Sequence, residues 1–347
     1  MKVLGLISSP SDPASRIRIM QYKDPFATTG DFLETKFFTP LKEVNPAPWS
    51  YKLKKLTGIN EWRSTDWIKT IGRTSLLFAQ SGYDLIWQNR LLQLHHFFWE
   101  TKLRKPVVFD FDDAIWLNEG EKQVIRKIEQ SAMIFAGNNY LADYALKYNK
   151  NTVIVPTTID TTKLFPLNKE APHFTIGWIG TKSNFQYLEI VKPAVLQFLS
   201  RNKDSRFIIV SSEKPEQFLF DNKQVIFKTW DADKENEMIN EFSVGLMPLT
   251  DSDWTRGKCS YKMLQYMACG KPVIVSPVGM NEQLINSGNI GFAATREDEW
   301  INALIELKNN DADAKDKGEN GRKLVETNYS CATMTLHILE QFKKVIN

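Results

Sequence analysis

With 347 residues, 42% of them apolar and 24% charged, the chain has an ordinary globular composition and is long enough for two domains, which excludes a disordered or fibrous class. The net charge of +3 excludes a polycation, yet residues 1–150 hold 21 Lys/Arg against 16 Asp/Glu and the remainder 23 against 25. The first half is therefore expected to face an anionic partner, a membrane surface or an anionic substrate, unless it is simply a solvated basic face.

Cys259, Cys269 and Cys331 have no metal-ligand spacing and read as reduced thiols of a cytosolic protein. Neither a signal peptide nor a bilayer-spanning run is expected. Val3–Ile7 is a continuous apolar run, expected as a buried first strand of a parallel sheet. The turn-rich SSPSDPAS follows, and SRIRIMQY is expected to start a helix with Ser15 as its N-cap. Helix starts leave backbone N–H groups pointing outward. Ser15 and Arg16, with Arg18 beside them, are candidates for an anion contact, and a surface Arg pair is the plainer alternative.

Lys36–Phe38 reads as a second short strand. Residues 49–80 read as helical and interleave Trp49, Trp62 and Trp67 with Lys52, Lys54, Lys55, Arg63, Lys69 and Arg73. That pattern suits a helix at an anionic membrane interface, or Trp residues turned into a core. No nucleic-acid motif accompanies it, so no nucleic-acid partner is expected. Tyr83–Gln88 is the next strand, and His95 and His96 after it lack partners at ligand spacing, so packing is expected of them.

Strand Pro106–Phe111 ends in Asp110, Asp112 and Asp113. Three carboxylates within four residues repel one another, so a structural role explains them poorly. Alternation puts Asp110 and Asp112 on one face, with Asp112 and Asp113 at the strand's exit. Strand Ala132–Gly137, the helix NNYLADYALKY and strand Val153–Val155 follow. Residues 156–172, dense in Pro, Thr and Lys, read as an interdomain linker.

The pattern then restarts, with strands Phe174–Trp178, Arg206–Val210 and Val225–Phe227 and helices Tyr187–Leu199 and Lys234–Phe242. In Val244–Gly279 a short apolar run leads into the polar loop Thr250–Lys258. A periodic helix, Tyr261–Cys269, is ended by Gly270, and PVIVSPVG carries a buried strand. Helices from Asn281, over Glu297–Lys308 and from Ala312 finish the chain. Two successive alternations of strand and helix mean an α/β protein of two doubly wound sheets, with ligands bound beyond the carboxyl ends of the strands.

Three glycine-bearing loops, GWIGTKSN, TRGKCSYK and SPVGMNEQ, follow strands of the second half. Glycine allows close backbone approach, and Lys182, Arg256, Lys258 and Lys262 are candidates to neutralise a diphosphate. The sequence has no GxxxxGK[ST] loop, no GxGxxG after the first strand and no GxSxG elbow. A phosphatase built on Asp110 and Asp112 would need a DxDxT-like continuation, where the chain has Asp113-Ala114. A nucleotide-diphosphate ligand remains.

Several segments also carry a family resemblance. DPASRIRIMQY, FDFDDAIW, NNYLADYALKYN, VIVPTTID, IGWIGTKSN and above all GLMPLTDSDWTRGKCSYKMLQYMACGKPVIVSPVG resemble retaining glycosyltransferases of family 4 (glycosyl transferases group 1), over most of the length. The resemblance implies the GT-B fold, two Rossmann-like domains facing across a cleft. The acceptor-binding domain would span 1–165, with a terminal helix near 332–347 packing back on it, and the nucleotide-sugar-binding domain 173–331. It implies a UDP- or GDP-sugar as co-substrate, no required metal or other cofactor, and a glycan, lipid-linked or protein acceptor. The protein would then be a cytoplasmic enzyme of polysaccharide or glycoconjugate biosynthesis, peripheral at the inner membrane face where the basic Trp stretch binds one.

Carried onto this sequence, Lys182 and Lys262 contact the diphosphate, with Arg256 and Lys258 as neighbours. Gly180, Thr181, Asn184, Tyr261 and Gln265 join the donor site, and Gly279, Met280 and Asn281 offer backbone N–H groups. The family's two glutamates, separated by seven residues, fall at Gly257 and Gln265. Gln265 retains the ability to hydrogen-bond ribose hydroxyls, and Asp251 is the candidate replacement for the sugar contact. Asp112 or Asp113 stands where many members have a His; a carboxylate there accepts a sugar hydroxyl or stabilises oxocarbenium-like charge. Asp112, Asp113, Lys262 and Asp251 are thus the candidate catalytic residues. A sugar-nucleotide-binding scaffold without catalysis is the alternative.

Overall fold

The computed structural model describes residues 1–37, 78–90, 103–167, 172–215 and 222–346. The Trp-bearing basic stretch 49–73 and the pair His95 and His96 lie outside them. The chain divides into two compact units, Met1–Val155 with Thr335–Asn347, and Pro156–Met334.

The first unit is built on a parallel sheet of β1 (Lys2–Ile7), β2 (Phe32–Phe37), β3 (Leu85–Asn89), β4 (Val107–Phe111), β5 (Met133–Ala136) and β6 (Thr152–Ile154). Their order is β2-β1-β3-β4-β5-β6, so the order reverses between β1 and β3. Every residue of β3, β4 and β5 is buried, which is why these strands are mostly apolar on both faces. Edge strand β2 buries Leu33 alone. Its mixed FLETKF pattern hides a strand that starts well before the expected Lys36.

Helix α1 (Pro13–Arg18) is capped by Asp12, and the expected Ser15 cap is corrected. Proline at the first position has its φ preset for a helix, which moves the start forward. The Asp12 carboxylate accepts from the Ser15 N–H and the Ser15 hydroxyl, both at 2.8 Å. Helix α2 (Lys23–Thr28) follows. Helix α3 (Glu121–Gln130) escapes the sequence reading, although Val124 and Ile128 form a buried i,i+4 stripe in an otherwise polar segment. Helix α4 (Asn139–Leu146) is capped by the Asn138 side chain, which accepts from the Leu141 N–H at 2.9 Å.

A buried ion pair underlies this sheet. Arg18 donates from Nε to Asp110 Oδ1 at 2.8 Å and from Nη2 to Oδ2 at 3.0 Å, and Trp87 Nε1 donates to the same Oδ2 at 3.0 Å. Arg18 is therefore an internal tie and not the surface or ligand residue that the sequence suggested.

The second unit carries β7 (Thr175–Ile179), β8 (Arg206–Ser211), β9 (Val225–Thr229), β10 (Val244–Met247), β11 (Val273–Val275) and β12 (Gly291–Ala293). They form a parallel sheet ordered β12-β11-β10-β7-β8-β9. Its helices are α5 (Leu188–Arg201), α6 (Glu235–Asn240), α7 (Asp253–Arg256), α8 (Tyr261–Ala268), α9 (Met280–Asn286), α10 (Glu297–Asn309) and α11 (Asp311–Asn328). On one face Val191, Val195 and Phe198 of α5 share a core with Trp300, Leu304 and Leu307 of α10. Helix α8 is buried from Met263 to Ala268 and stops where Gly270 takes φ +66°.

Residues 156–167, read as linker, are anchored on the second unit. Ile159 bridges to Ser330, and the Arg322 guanidinium donates to the carbonyls of Leu164 and Thr161 at 2.7 and 3.3 Å. The last helix, α12 (Cys331–Ile346), belongs with the first unit from Thr335 onward. There Phe342 lies 5.4 Å from the Trp87 ring, 5.5 Å from Phe135 and 6.2 Å from Phe26. Among the described residues no helix is long and apolar enough to cross a membrane.

Two substitutions test this account by denaturant unfolding. Asp110→Ala strands the Arg18 guanidinium in the core and is expected to cost about 3–5 kcal/mol. Tyr266→Phe removes the acceptor of the buried Ile179 N–H and is expected to cost about 1–3 kcal/mol. A wild-type midpoint for either variant would refute the corresponding tie.

Candidate functional site

In the second unit the strand order reverses between β7 and β10, the place where open parallel sheets form a ligand crevice. These strands pair only at Val244↔Ile176 and Gly245↔Gly177. Beyond that the Tyr266 hydroxyl takes the place of a ladder bond: it accepts from the Ile179 N–H at 3.1 Å and donates to the Leu246 carbonyl at 3.2 Å. The ring reaches this position because residue 245 is glycine; a Cβ there would meet Tyr266 carbons at 2.2 Å.

The loops beyond the crevice are locked to one another. Gly180 closes against α8, where a Cβ would meet Lys262 Cε and Trp178 Cη2, each at 2.6 Å. Lys262 Nζ stands 5.7 Å from the Trp178 ring centroid, and Lys258 Nζ 5.2 Å from that of Trp254. Indole faces thus stand beside both ammonium groups. Gly279 takes φ +57°, and a Cβ there would meet the Arg256 carbonyl oxygen at 2.7 Å. The SPVG loop is thereby pressed against the TRGK loop.

Ser260 precedes α8 in a left-handed conformation, φ +51°. Its hydroxyl donates to Asn281 Oδ1 at 2.6 Å, while Asn281 Nδ2 donates to the carbonyls of Ser276 at 3.2 Å and Met247 at 3.4 Å. One amide thus ties the ends of β10 and β11 to the start of α8.

Several expected donor residues also have partners within the protein. The Asn281 amide is committed to this tie, and its N–H donates to the Val278 carbonyl at 3.2 Å. Asp251 forms a two-point pair with Arg256, at 2.7 and 2.9 Å, so two candidates engage each other. That pair holds the Asp251 carboxyl below the usual range. Lys182 is 63% exposed and donates to Glu213 Oε2 at 2.8 Å, which sets it outward from Gly180. Thr181 and Asn184 bond each other within the same loop at 2.9 Å. Tyr261 opens α8 half-buried, Met280 is buried at the start of α9, and Gln265 is buried on α8 one turn after Lys262.

In the first unit the exit of β4 gathers charge. Arg90, at the exit of neighbouring β3, donates from Nε and Nη2 to Asp112 Oδ1 at 3.2 and 3.0 Å and from Nη2 to Asp113 Oδ2 at 2.5 Å. Burial pushes the Asp112 carboxyl up, but the Arg90 and Arg18 guanidiniums outweigh it and hold the group below the usual carboxylate range. The acidic cluster is therefore divided, with Asp110 neutralised from below by Arg18 and the other two from beside by Arg90. Ser15 is buried, its hydroxyl within 3.0 Å of that of Ser8, and Arg16 lies half-buried on α1.

Sequence reasoning missed Arg90, Ser260 and the Tyr266 hydroxyl. Arg90 sits in a polar stretch that looks like a strand ending. Tyr266 reads as core, and only the glycine opposite at 245 signals its close approach. Among the described residues no group of three or more His, Cys, Asp or Glu is placed to hold a metal ion.

With this geometry in view, the relatives can be compared. Residues 173–310 match the family described as Glycosyl transferases group 1. No curated protein matches the sequence. Sucrose-phosphate synthase of Thermosynechococcus elongatus superposes with a TM-score of 0.72 at 14% identity, covering 99% of this chain and 98% of that one. Anabaena HepE, in a complex with UDP and glucose, gives 0.69 at 14% identity over 99% and 100%. The lipopolysaccharide outer core galactosyltransferase WaaB gives 0.66 at 11% over 99% of each. Residues 173–310 thus carry the glycosyl transferases group 1 signature, within a chain whose whole fold is that of the GT-B glycosyltransferases.

Proposed function

We propose that the protein is a retaining glycosyltransferase of family 4 that moves a sugar from a UDP- or GDP-sugar to a glycan, lipid-linked or protein acceptor. The observation that carries this reading is the crevice between β7 and β10, where Gly180 closes on Lys262 and both Lys258 and Lys262 are held over indole rings. Two ammonium groups at a glycine-lined strand exit suit a nucleoside diphosphate. Their chief service is electrostatic, stabilising the negative charge that grows on the diphosphate as the glycosidic bond breaks. Lys262 is the catalytic lysine in this reading. Lys258, Gly180 and the Gly279–Met280 turn hold the donor, and Gln265 and Tyr261 meet its nucleoside side. Arg256 and Asp251 shape the loop as a pair, and Lys182 contributes at longer range.

The first unit would bind the acceptor, with Asp112 and Asp113 as its candidate sugar contacts. HepE has been captured with UDP-glucose, which supports a nucleotide sugar as the ligand class for this fold. A second reading, a sugar-nucleotide-binding scaffold, draws on one feature: Gly257 and Gln265 stand where the resemblance expects acids, and Asp251 is engaged by Arg256. Calorimetry separates the two, since donor binding without turnover over a wide acceptor panel is the scaffold's signature.

Lys262→Ala is expected to lower kcat/KM for donor hydrolysis or transfer by roughly 100- to 1000-fold. The same variant should lose the thermal shift that a UDP- or GDP-sugar gives the wild type. Full activity in Lys262→Ala would sink the donor-site assignment. Chelation by EDTA is expected to leave the rate unchanged, because lysines supply the charge that a metal otherwise would. A rate that collapses in EDTA and returns with Mg²⁺ would reject the metal-independent reading.

A further inference from the structure

Arg90 adopts φ +55°, a conformation that a non-glycine residue keeps only where its surroundings hold it. Its backbone is held on both sides. The N–H donates to the Asp110 carbonyl at 2.8 Å, and the Arg90 carbonyl accepts from Gln88 Nε2 at 3.0 Å. This turn brings the guanidinium over the exit of β4, onto Asp112 and Asp113 together. A left-handed backbone retained at the carboxyl edge of a sheet, to hold two carboxylates in register, identifies those carboxylates as the groups being positioned.

We propose that Arg90 is a positioning residue that clamps Asp112 and Asp113 into one ionised pair, and that this pair accepts hydrogen bonds from the hydroxyl groups of a neutral sugar acceptor. The inference rests on the glycosyltransferase reading and adds the acceptor's chemical class. Two adjacent carboxylates in fixed geometry match neighbouring hydroxyls of a pyranose, each of which donates one hydrogen bond. The charge count at the site also disfavours an anionic acceptor. Among the described residues, Arg90 faces both carboxylates, Arg18 is matched by Asp110, and Glu119 lies within electrostatic reach of Arg90.

The direction of the Asp112 shift assigns the kind of work. Arg18, Arg90, Asp110, Asp113 and Glu119 are the charged groups that face the site among the described residues. Burial raises the Asp112 carboxyl, and the two guanidiniums prevail and hold it below the usual carboxylate range. A carboxylate held this acidic is a poor proton acceptor at neutral pH, so it orients hydroxyls and does not deprotonate them.

The test is calorimetric binding of methyl glucoside and of glucose 6-phosphate to the full chain as a function of pH. Wild type is expected to bind the neutral sugar more tightly, with affinity falling only at acid pH. Arg90→Met should weaken the neutral sugar on the order of 10- to 100-fold. It should also move the acid limb to higher pH, because Asp112 loses its cation, and Arg90→Lys should return the limb towards wild type. Arg90→Gly removes the cation while suiting φ +55°, so it is expected to show the same binding defect with the left-handed turn retained.

No binding of the neutral sugar by wild type, tighter binding of the phosphate, or wild-type affinity in Arg90→Gly would each overturn the clamp. UDP-sugar binding, measured on the same samples, reports on the donor reading separately. Its absence from wild type rejects that reading, whereas its presence beside an unchanged Arg90→Gly rejects the clamp alone.

Discussion

A single hydroxyl holds the point at which β7 and β10 diverge. Two parallel strands that separate at a switch point leave ladder donors and acceptors facing each other across a gap, and a buried N–H without a partner is costly. Tyr266 fills that gap, accepting from Ile179 and donating to Leu246. The helix that carries Tyr266 is thereby fixed to the point of divergence, and Lys262, one turn before it, is fixed with it. Gly245 permits the approach of the ring, and Gly180 permits the approach of the lysine stem. Ser260 and Asn281 repeat the device one strand further along, with an amide between loop ends. The basic groups thus stand on a frame whose backbone polarity is satisfied before any ligand arrives, which is the preorganisation that electrostatic catalysis requires.

The first unit solves a different problem, that of three carboxylates in four residues. Mutual repulsion would shift or expel them unless each met a cation. Asp110 points into the sheet and meets Arg18, whose two-point geometry with the Trp87 indole satisfies a fully buried carboxylate. Asp112 and Asp113 turn to the strand's exit and share Arg90. The buried pair fixes the strand's depth and the half-buried trio fixes what its end presents. The Arg90 N–H, donating to the Asp110 carbonyl, joins the two layers.

The two doubly wound sheets were legible in the sequence because buried parallel strands are apolar on both faces and Gly270 marks a helix end without ambiguity. Where burial is one-sided, the sequence said less: β2 was placed late and α3 was not seen, since Leu33 in one and Val124 and Ile128 in the other are sparse signals among polar residues. The glycine loops of the second unit and the lysines beside them could be read from spacing. Pairing could not. Nothing in the sequence order shows that Asp251 spends its charge on Arg256, that Asn281 is an internal tie, or that Arg90 reaches Asp112 from 22 residues away. Those are facts of three-dimensional partnership, and local propensity carries no trace of them.

The placement of these pairs bears on what the missing acids mean. In the proposed donor site, glycine at 257 and glutamine at 265 bring no negative charge, and Asp251 and Arg256 are matched to each other. A site without those acids grips a diphosphate more firmly and a sugar's hydroxyls less. Firm holding of the diphosphate in the ground state does nothing for the rate by itself, since only contacts that strengthen in the transition state accelerate the reaction. In the proposed reaction the negative charge that grows on the departing diphosphate is one such contact, and the lysines would answer it. The positive charge that grows on the sugar is the other. Within the second unit the acidic candidate for it, Asp251, is already engaged by Arg256.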